Sequence, residues 1–385
     1  VPLPRKFLTQ QTCVSEIVLH KLGKELMDKD RVTTDIETAF KTQVQSDPKL
    51  RNAYLLVYSD KLGIDMLLAE GRSNDTLIHA LQPNHLASVG KLFAATLIGI
   101  LFDQGKLDYH DPIARYLDAE LMKGLHVFKG TDYSQTITIA QLLKQTTGLA
   151  DVFFPLLKQM RKGSMDINPR DAILWGKHYL KPKFPPGSRN HYGDTNYYLI
   201  GLIIESICAK PYHEVMHELI FDPLGMDQAW IFGYSKPAKS LLYPMAKVRL
   251  DGIDIDSIPE IYRMDYAGGG VVAPLPQYLV FFKALLEGNI VKPETLQLML
   301  TDSVRMGFPM IGFDYGYSIW KFRPIPLLLP NEFVCWGCVG ITGAFLFYHP
   351  PTQAILIGCF NDMAYKAKAL RFMLSKVIKP LLSCE

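Results

Sequence analysis

The sequence predicts an α+β fold, with one sheet drawn from both ends of the chain and a mainly helical stretch inserted between them. Three observations predict it. Strand-like runs come early, at 53–59 and 65–70, and return late, at 315–322, 343–349 and 354–360. The middle, about 106–300, carries helical patterns broken by turns such as Phe184-Pro185-Pro186-Gly187 and Asp222-Pro223-Leu224-Gly225. Hydrophobic residues make up 48% and charged residues 21% of 385, the balance of a packed globular chain. The division that follows is a discontinuous sheet domain, 1–105 with 301–385, and a helical domain, 106–300.

In chain order, 12–46 reads as one or two amphipathic helices. The runs at 53–59 and 65–70, separated by polar residues and Gly63, read as a hairpin. Residues 91–102 are apolar on every face except at Lys91 and Thr96, the pattern of a helix in the middle of a protein. Gly105 is its expected stop. The last segment, 363–382, has helical periodicity. Loops at 150–190 and 230–265 show no periodic pattern.

Several function classes recede at once. A net charge of +3, from 41 basic and 38 acidic residues with no basic cluster, gives no case for nucleic acid. The longest apolar run, 92–102, is too short to span a bilayer. The opening VPLPRKF lacks an initiator Met and an apolar signal core, which fits a trimmed chain and assigns no compartment. Six cysteines (Cys13, Cys208, Cys335, Cys338, Cys359 and Cys384) are scattered, as expected of mostly reduced, buried thiols. There is no phosphate loop, dinucleotide fingerprint or Gly-x-Ser-x-Gly elbow.

The chemistry-bearing motif is Ser88-Val89-Gly90-Lys91. Two other Ser-x-x-Lys matches exist, at Ser46 and Ser318, but one lies in a polar, Pro-containing stretch and the other in a strand pattern. Only Ser88 opens a buried helix, where residues three apart share a face. A serine hydroxyl needs a base, and a lysine is one only when its ammonium is destabilised, as burial would do. The same residues also fit a plain capping serine and a solvent-seeking lysine.

The wider pattern separates these readings. Ser88 to Lys91, Gly105-Lys106-Leu107-Asp108, Asp111-Pro112, Leu142-Leu143 through Thr147-Gly148-Leu149, Tyr192-Gly193-Asp194 after Pro186-Gly187, and Gly268-Gly269-Gly270 follow one another in an order that resembles the serine beta-lactamase and penicillin-binding superfamily. The class C branch and its esterase relatives are the most similar. The resemblance implies an antiparallel sheet flanked by terminal helices beside an all-helical domain, with the active site at their junction. It implies an acyl-enzyme on Ser88, no cofactor or metal, and a small or peptide-like acyl substrate. Lys91 and Tyr192 would move protons, the backbone amides of Ser88 and Ile341 would hold the oxyanion, and Asp194, Cys338, Val339 and Gly340 would contact substrate. Tyr192 would need a phenolic pKa below its usual value of about 10, which a cationic lysine would provide.

Two departures stand out. Asp194 occupies the place of the family's Asn. The third motif, Lys-Thr-Gly or His-x-Gly in the family, is Cys338-Val339-Gly340, without cation or hydroxyl. Trp336-Gly337-Cys338 also resembles the Trp-Gly-Gly variant of the esterases, in a register two residues away. The expectation is therefore ester or amide hydrolysis without an obligatory substrate carboxylate. D-alanyl carboxypeptidase or beta-lactamase activity, or a non-catalytic binding protein on the same fold, are the alternatives. The segment His213-Glu214-Val215-Met216-His217 matches the zinc hydrolase signature, but its histidines fall on the expected solvent face and no third ligand follows.

Overall fold

The computed structural model describes residues 8–73, 76–163, 166–258, 260–307, 310–325 and 330–384. Its centre is a nine-stranded antiparallel sheet. The strands are β1 (Asn52–Ser59), β2 (Ile64–Ser73), β3 (Thr76–Leu77), β4 (Val304–Arg305), β5 (Phe313–Tyr315), β6 (Trp320–Phe322), β7 (Trp336–Gly340), β8 (Ala344–His349) and β9 (Ala354–Cys359). Their order is β4-β5-β6-β7-β8-β9-β1-β2-β3, so the chain's last strand pairs with its first, Leu55 opposite Gly358. The early hairpin pairs Ser59 with Ile64.

Helices cover this sheet and explain its composition. β1 is buried along nearly its whole length, which is why it reads as a continuous apolar run rather than an alternation. The helix Leu275–Leu286 packs on β1 and β9. The N-terminal segment forms one helix, α1 (Leu8–Gln45), that packs on β2. Val32, Ile36, Phe40 and Val44 are its buried stripe, spaced one turn apart. The C-terminal segment is helical with an irregular path. A 3-10 turn, Met363–Tyr365, leads into helix Lys366–Phe372, then a π-type turn, Met373–Ile378.

Two sequence expectations change in detail. The run 315–322 is not one strand: β5 and β6 form a hairpin whose turn holds Ser318 at φ 64°. Ser318 is paired there with the Tyr197 hydroxyl, while Lys321 donates to the Leu300 carbonyl at 2.5 Å, so this Ser-x-x-Lys match forms no pair. Cys208, Cys335, Cys338, Cys359 and Cys384 are free thiols; the Cys13 side chain lies outside those described.

The buried helix is α2 (Gly90–Asp103), and every residue from Gly90 to Leu101 is buried. It ends at Gly105, whose φ of 69° only glycine adopts without strain. Two further helices meet its start: α3 (Thr195–Cys208) and α4 (Ile261–Gly269). Among the described residues, no helix is long and apolar enough to cross a membrane.

Candidate active site

Ser88 lies in a single 3-10 turn, Ala87–Val89, just before α2. Its side chain caps nothing, which removes the plain capping reading. Ala87 carries φ 49°, a left-handed conformation costly for a residue with a Cβ. The turn is held by close neighbours. A Cβ on Gly90 would stand 3.0 Å from the Gly269 backbone, so α2 and α4 meet glycine against glycine. On the other side, a Cβ on Gly340 would stand 2.2 Å from the Leu86 carbonyl, so β7 ends directly against the serine turn.

Lys91 is fully buried and does not reach solvent. Its ammonium donates to Ser88 Oγ at 3.1 Å, to the Gly268 carbonyl at 2.5 Å and to Asp194 Oδ1. Gly268 must lack a side chain for this, because a Cβ would stand 2.9 Å from Asp194 Oδ1. Burial pulls the Lys91 pKa down, but the Asp194 carboxylate, by charge and by hydrogen bond, more than offsets it. The net shift is upward. The direction is opposite to the one expected from burial alone, and the Asp194 carboxylate, standing where the family has a neutral Asn, is its cause.

Tyr192 lines the same cavity as Ser88, and its ring centroid lies 5.3 Å from Lys91 Nζ. Burial first, and the Asp194 carboxylate second, push its phenol well above the ordinary value. The shift is thus opposite to the lowering expected from Lys91, because burial and the Asp194 carboxylate both act upward.

One cavity of about 360 Å³ lies over this cluster, with Lys91 behind its wall. Ser88, Tyr192, Asp194, Val339 and Ile341 all reach it, as do two carboxylates that no sequence pattern indicated, Asp151 and Asp265. Asp151 Oδ1 accepts from the Asp194 amide at 2.9 Å and from the Phe153 amide at 3.3 Å. Burial, then the charge of Asp194, pushes its carboxyl up to about 6. Asp265 faces His85, Oδ2 to Nε2 at 3.0 Å. The remaining wall is apolar and aromatic, with Phe153, Phe154, Phe313 and Trp320, and Lys366 stands at the opening.

The third-motif strand divides. Val339 lines the cavity, whereas Cys338 is fully buried and donates from Sγ to the Ser88 carbonyl at 3.1 Å. Burial pushes its thiol up to about 12, so it is no ready nucleophile. Cys338 and Gly340 thus face the serine turn rather than the cavity, and of the expected substrate-contacting residues only Asp194 and Val339 present side chains to it. Cys338 and Gly340 contact the Ser88 turn, while Gly337, one residue before Cys338, packs against β8.

The His213–His217 segment lies on the helix Tyr212–Met216 and the π-type turn that follows. His217 Nε2 pairs with Ser235 Oγ at 3.1 Å. Among the described residues no group of three or more His, Cys, Asp or Glu is placed to hold a metal ion.

Comparison with known proteins gives the family and the fold. A putative penicillin-binding protein, PbpX, of Bacillus subtilis is 30% identical over 249 residues, covering 62% of this chain and 57% of that protein. A beta-lactamase of Pseudomonas fluorescens is 27% identical over 146 residues, covering 38% and 36%. The chain thus spans little more than half, or less, of these relatives. Among solved structures, D-amino acid amidase from Ochrobactrum anthropi SV3 superposes with TM-score 0.73 at 20% identity, covering 92% of this chain and 98% of that one. EstCE1, a hydrolase with promiscuous acyltransferase activity, superposes with TM-score 0.73 at 16% identity, covering 92% and 99%. The beta-lactamase family description matches residues 74–375, most of the chain, and the protein belongs to the beta-lactamase family.

Proposed function

We propose that this protein is a serine hydrolase that forms an acyl-enzyme on Ser88 and cleaves ester or amide bonds of small, largely apolar acyl substrates. One observation carries the reading: Ser88 Oγ opens into a cavity while bonded from behind to a buried lysine, 3.1 Å away. A surface serine has no such partner, and a structural one has no such cavity.

In the proposed cycle, Ser88 Oγ attacks the substrate carbonyl. The backbone amides of Ser88 and Ile341 receive the oxyanion; this arrangement needs no particular side chain and survives the altered third motif. Tyr192, kept as a neutral phenol, donates its proton to the leaving group and is resupplied from Lys91. Water then cleaves the acyl-enzyme. The aromatic wall of Phe153, Phe154, Phe313 and Trp320 supports an apolar acyl or leaving group. Neither Cys338 nor Val339 offers the charge-assisted grip on a carboxylate that the family's third motif provides.

A second reading is carboxypeptidase or beta-lactamase activity. Lys366, a cation at the mouth of the same cavity, favours it. Turnover of a panel of aryl esters, amino acid amides, a D-alanyl dipeptide and penicillins, with Ser88→Ala as control, tests both. Ester or amide turnover abolished by Ser88→Ala supports the first; turnover of only carboxylate-bearing substrates supports the second. No turnover or acylation by any member would favour a non-catalytic binding protein.

A further inference from the structure

We propose that Asp194 is a catalytic proton acceptor: it takes a proton from Lys91, so that the site operates as a Ser88–Lys91–Asp194 relay. This rests on Ser88 being the nucleophile, and it assigns Asp194 a role that the family's Asn cannot fill.

The argument is one of hydrogen-bond valency. An ammonium has three N–H donors and no lone pair. Lys91 places all three on Ser88 Oγ, the Gly268 carbonyl and Asp194 Oδ1. In that state the lysine donates to the serine and cannot accept its proton. Something must first remove a proton from Nζ. Of its three partners, Ser88 is the group to be deprotonated and the Gly268 carbonyl is far too weak a base. Asp194 alone remains.

Its placement supports this. Asp194 stands at the N-terminus of α3, where an aspartate ordinarily caps the helix, yet its side chain caps nothing and is turned to Lys91. Its backbone amide is fixed by Asp151 Oδ1, and the missing side chain at Gly268 leaves room for its carboxylate. Tyr192 offers no other exit for the serine proton, since a phenol held neutral has no basic oxygen.

The step balances. A proton passes from Lys91 Nζ to Asp194 Oδ1, leaving a neutral amine and a carboxylic acid. The amine turns its lone pair to Ser88 and takes the hydroxyl proton as the Oγ–carbonyl carbon bond forms, which restores the ammonium. When the bond to the leaving group breaks, that group takes a proton from Tyr192, Lys91 resupplies Tyr192, and Asp194 returns its proton to Lys91. The titratable groups around Asp194 are Lys91 from α2, Asp151 from the preceding loop, Tyr192 two residues before it, and Tyr198 on α3.

The test is the burst rate of acylation by a p-nitrophenyl ester, from about pH 5 to about pH 10, for wild type, Asp194→Asn and Asp194→Glu. At the acid end of that range, where Lys91 of the Asn variant still holds its proton, Asp194→Asn should acylate roughly 100-fold more slowly with KM changed less than about threefold, the size expected for losing a proton acceptor. Its rate should climb with pH as Lys91, without the carboxylate beside it, loses its proton unaided, a climb absent from wild type. Asp194→Glu should keep the rate within about tenfold of wild type. Asp194→Asn acylating as fast as wild type, or faster, at the acid end would overturn the proposal and leave Asp194 as a lock on Lys91. A burst that survives Ser88→Ala would instead sink the nucleophile reading. If the Asn variant does not fold, the wild-type profile decides. A burst rate that stays level from about pH 6 to about pH 9 fits a proton held within the Lys91–Asp194 pair; a rate that rises through that range as Lys91 loses its proton to solvent contradicts the relay.

Discussion

The two sides of the Ser88 turn are built on opposite principles. Toward α2 and α4, the buried cation is fully partnered and backbones meet without side chains: Lys91 has three acceptors, and Gly90, Gly268 and Gly269 permit the contact. Toward β7, the backbone approach is equally close at Gly340, but the side chains are apolar or neutral. The first side would perform acylation; the second holds substrate in the family that the chain resembles. The difference teaches that the nucleophile's surroundings and the grip on substrate are separable. Chemistry depends on buried contacts that tolerate little change, whereas the cavity edge can be rebuilt from Val339 and an aromatic wall.

The largest expected effect breaks the chemical side outright. Ser88→Ala should lower turnover by roughly 1,000-fold or more, with thermal stability nearly unchanged, measured as kcat/KM beside a melting curve. A change in melting temperature with activity retained would reverse the roles given to the two sides.

Next, restoring the family's cation at Cys338 should not restore a carboxylate grip. That position is fully buried and its charge would face Lys91. Cys338→Lys should cost roughly 3 kcal/mol or more of stability by burying an unpaired charge, read by denaturant unfolding. A stable variant with new affinity for carboxylate-bearing substrates would show that this strand still faces the cavity.

A smaller effect, of order 1–3 kcal/mol, is expected from Asp151 through pH. Its carboxyl titrates near 6 rather than at the ordinary value of 3.8. A raised carboxyl pKa means that the folded state binds the extra proton. Its contribution to stability is therefore most favourable below the unfolded value and falls as pH rises toward 6. Asp151→Asn keeps an oxygen for the two backbone amides and should be more stable than wild type above about pH 6, with the difference vanishing below about pH 4. Equal stabilities across that range would remove Asp151 from the buried charge cluster.

The smallest change sharpens the other side. Val339→Thr adds a hydroxyl at the cavity edge and should alter stability by less than about 0.5 kcal/mol and KM by less than about threefold. A large loss of kcat would show that β7 carries chemistry as well as shape.

Much of this architecture was legible in the sequence, because buried strands and an all-apolar helix leave continuous hydrophobic runs. The α2 stop at Gly105 and the hairpin at Gly63 followed from glycine's access to positive φ. The hairpin between β5 and β6 was not legible, since its turn residue Ser318 is buried and packed like strand. At the site, Ser88, Lys91, Tyr192 and Asp194 carried a spacing that could be read. The Gly268 carbonyl could not be, because a backbone acceptor has no sequence signal, and the Gly268–Gly270 run reads as a turn rather than a contact surface. Asp151, Asp265 and the aromatic wall come from segments far apart in the chain and without periodicity. The direction of the Lys91 shift differs from the sequence expectation for a physical reason: burial alone lowers a lysine, but one carboxylate in contact reverses the sign.

The most direct test of the central claim is intact mass and peptide mapping after incubation with a phosphonate serine probe. The account predicts a single adduct, on Ser88, that is lost in Lys91→Ala. No adduct, an adduct elsewhere, or undiminished labelling in Lys91→Ala would contradict it.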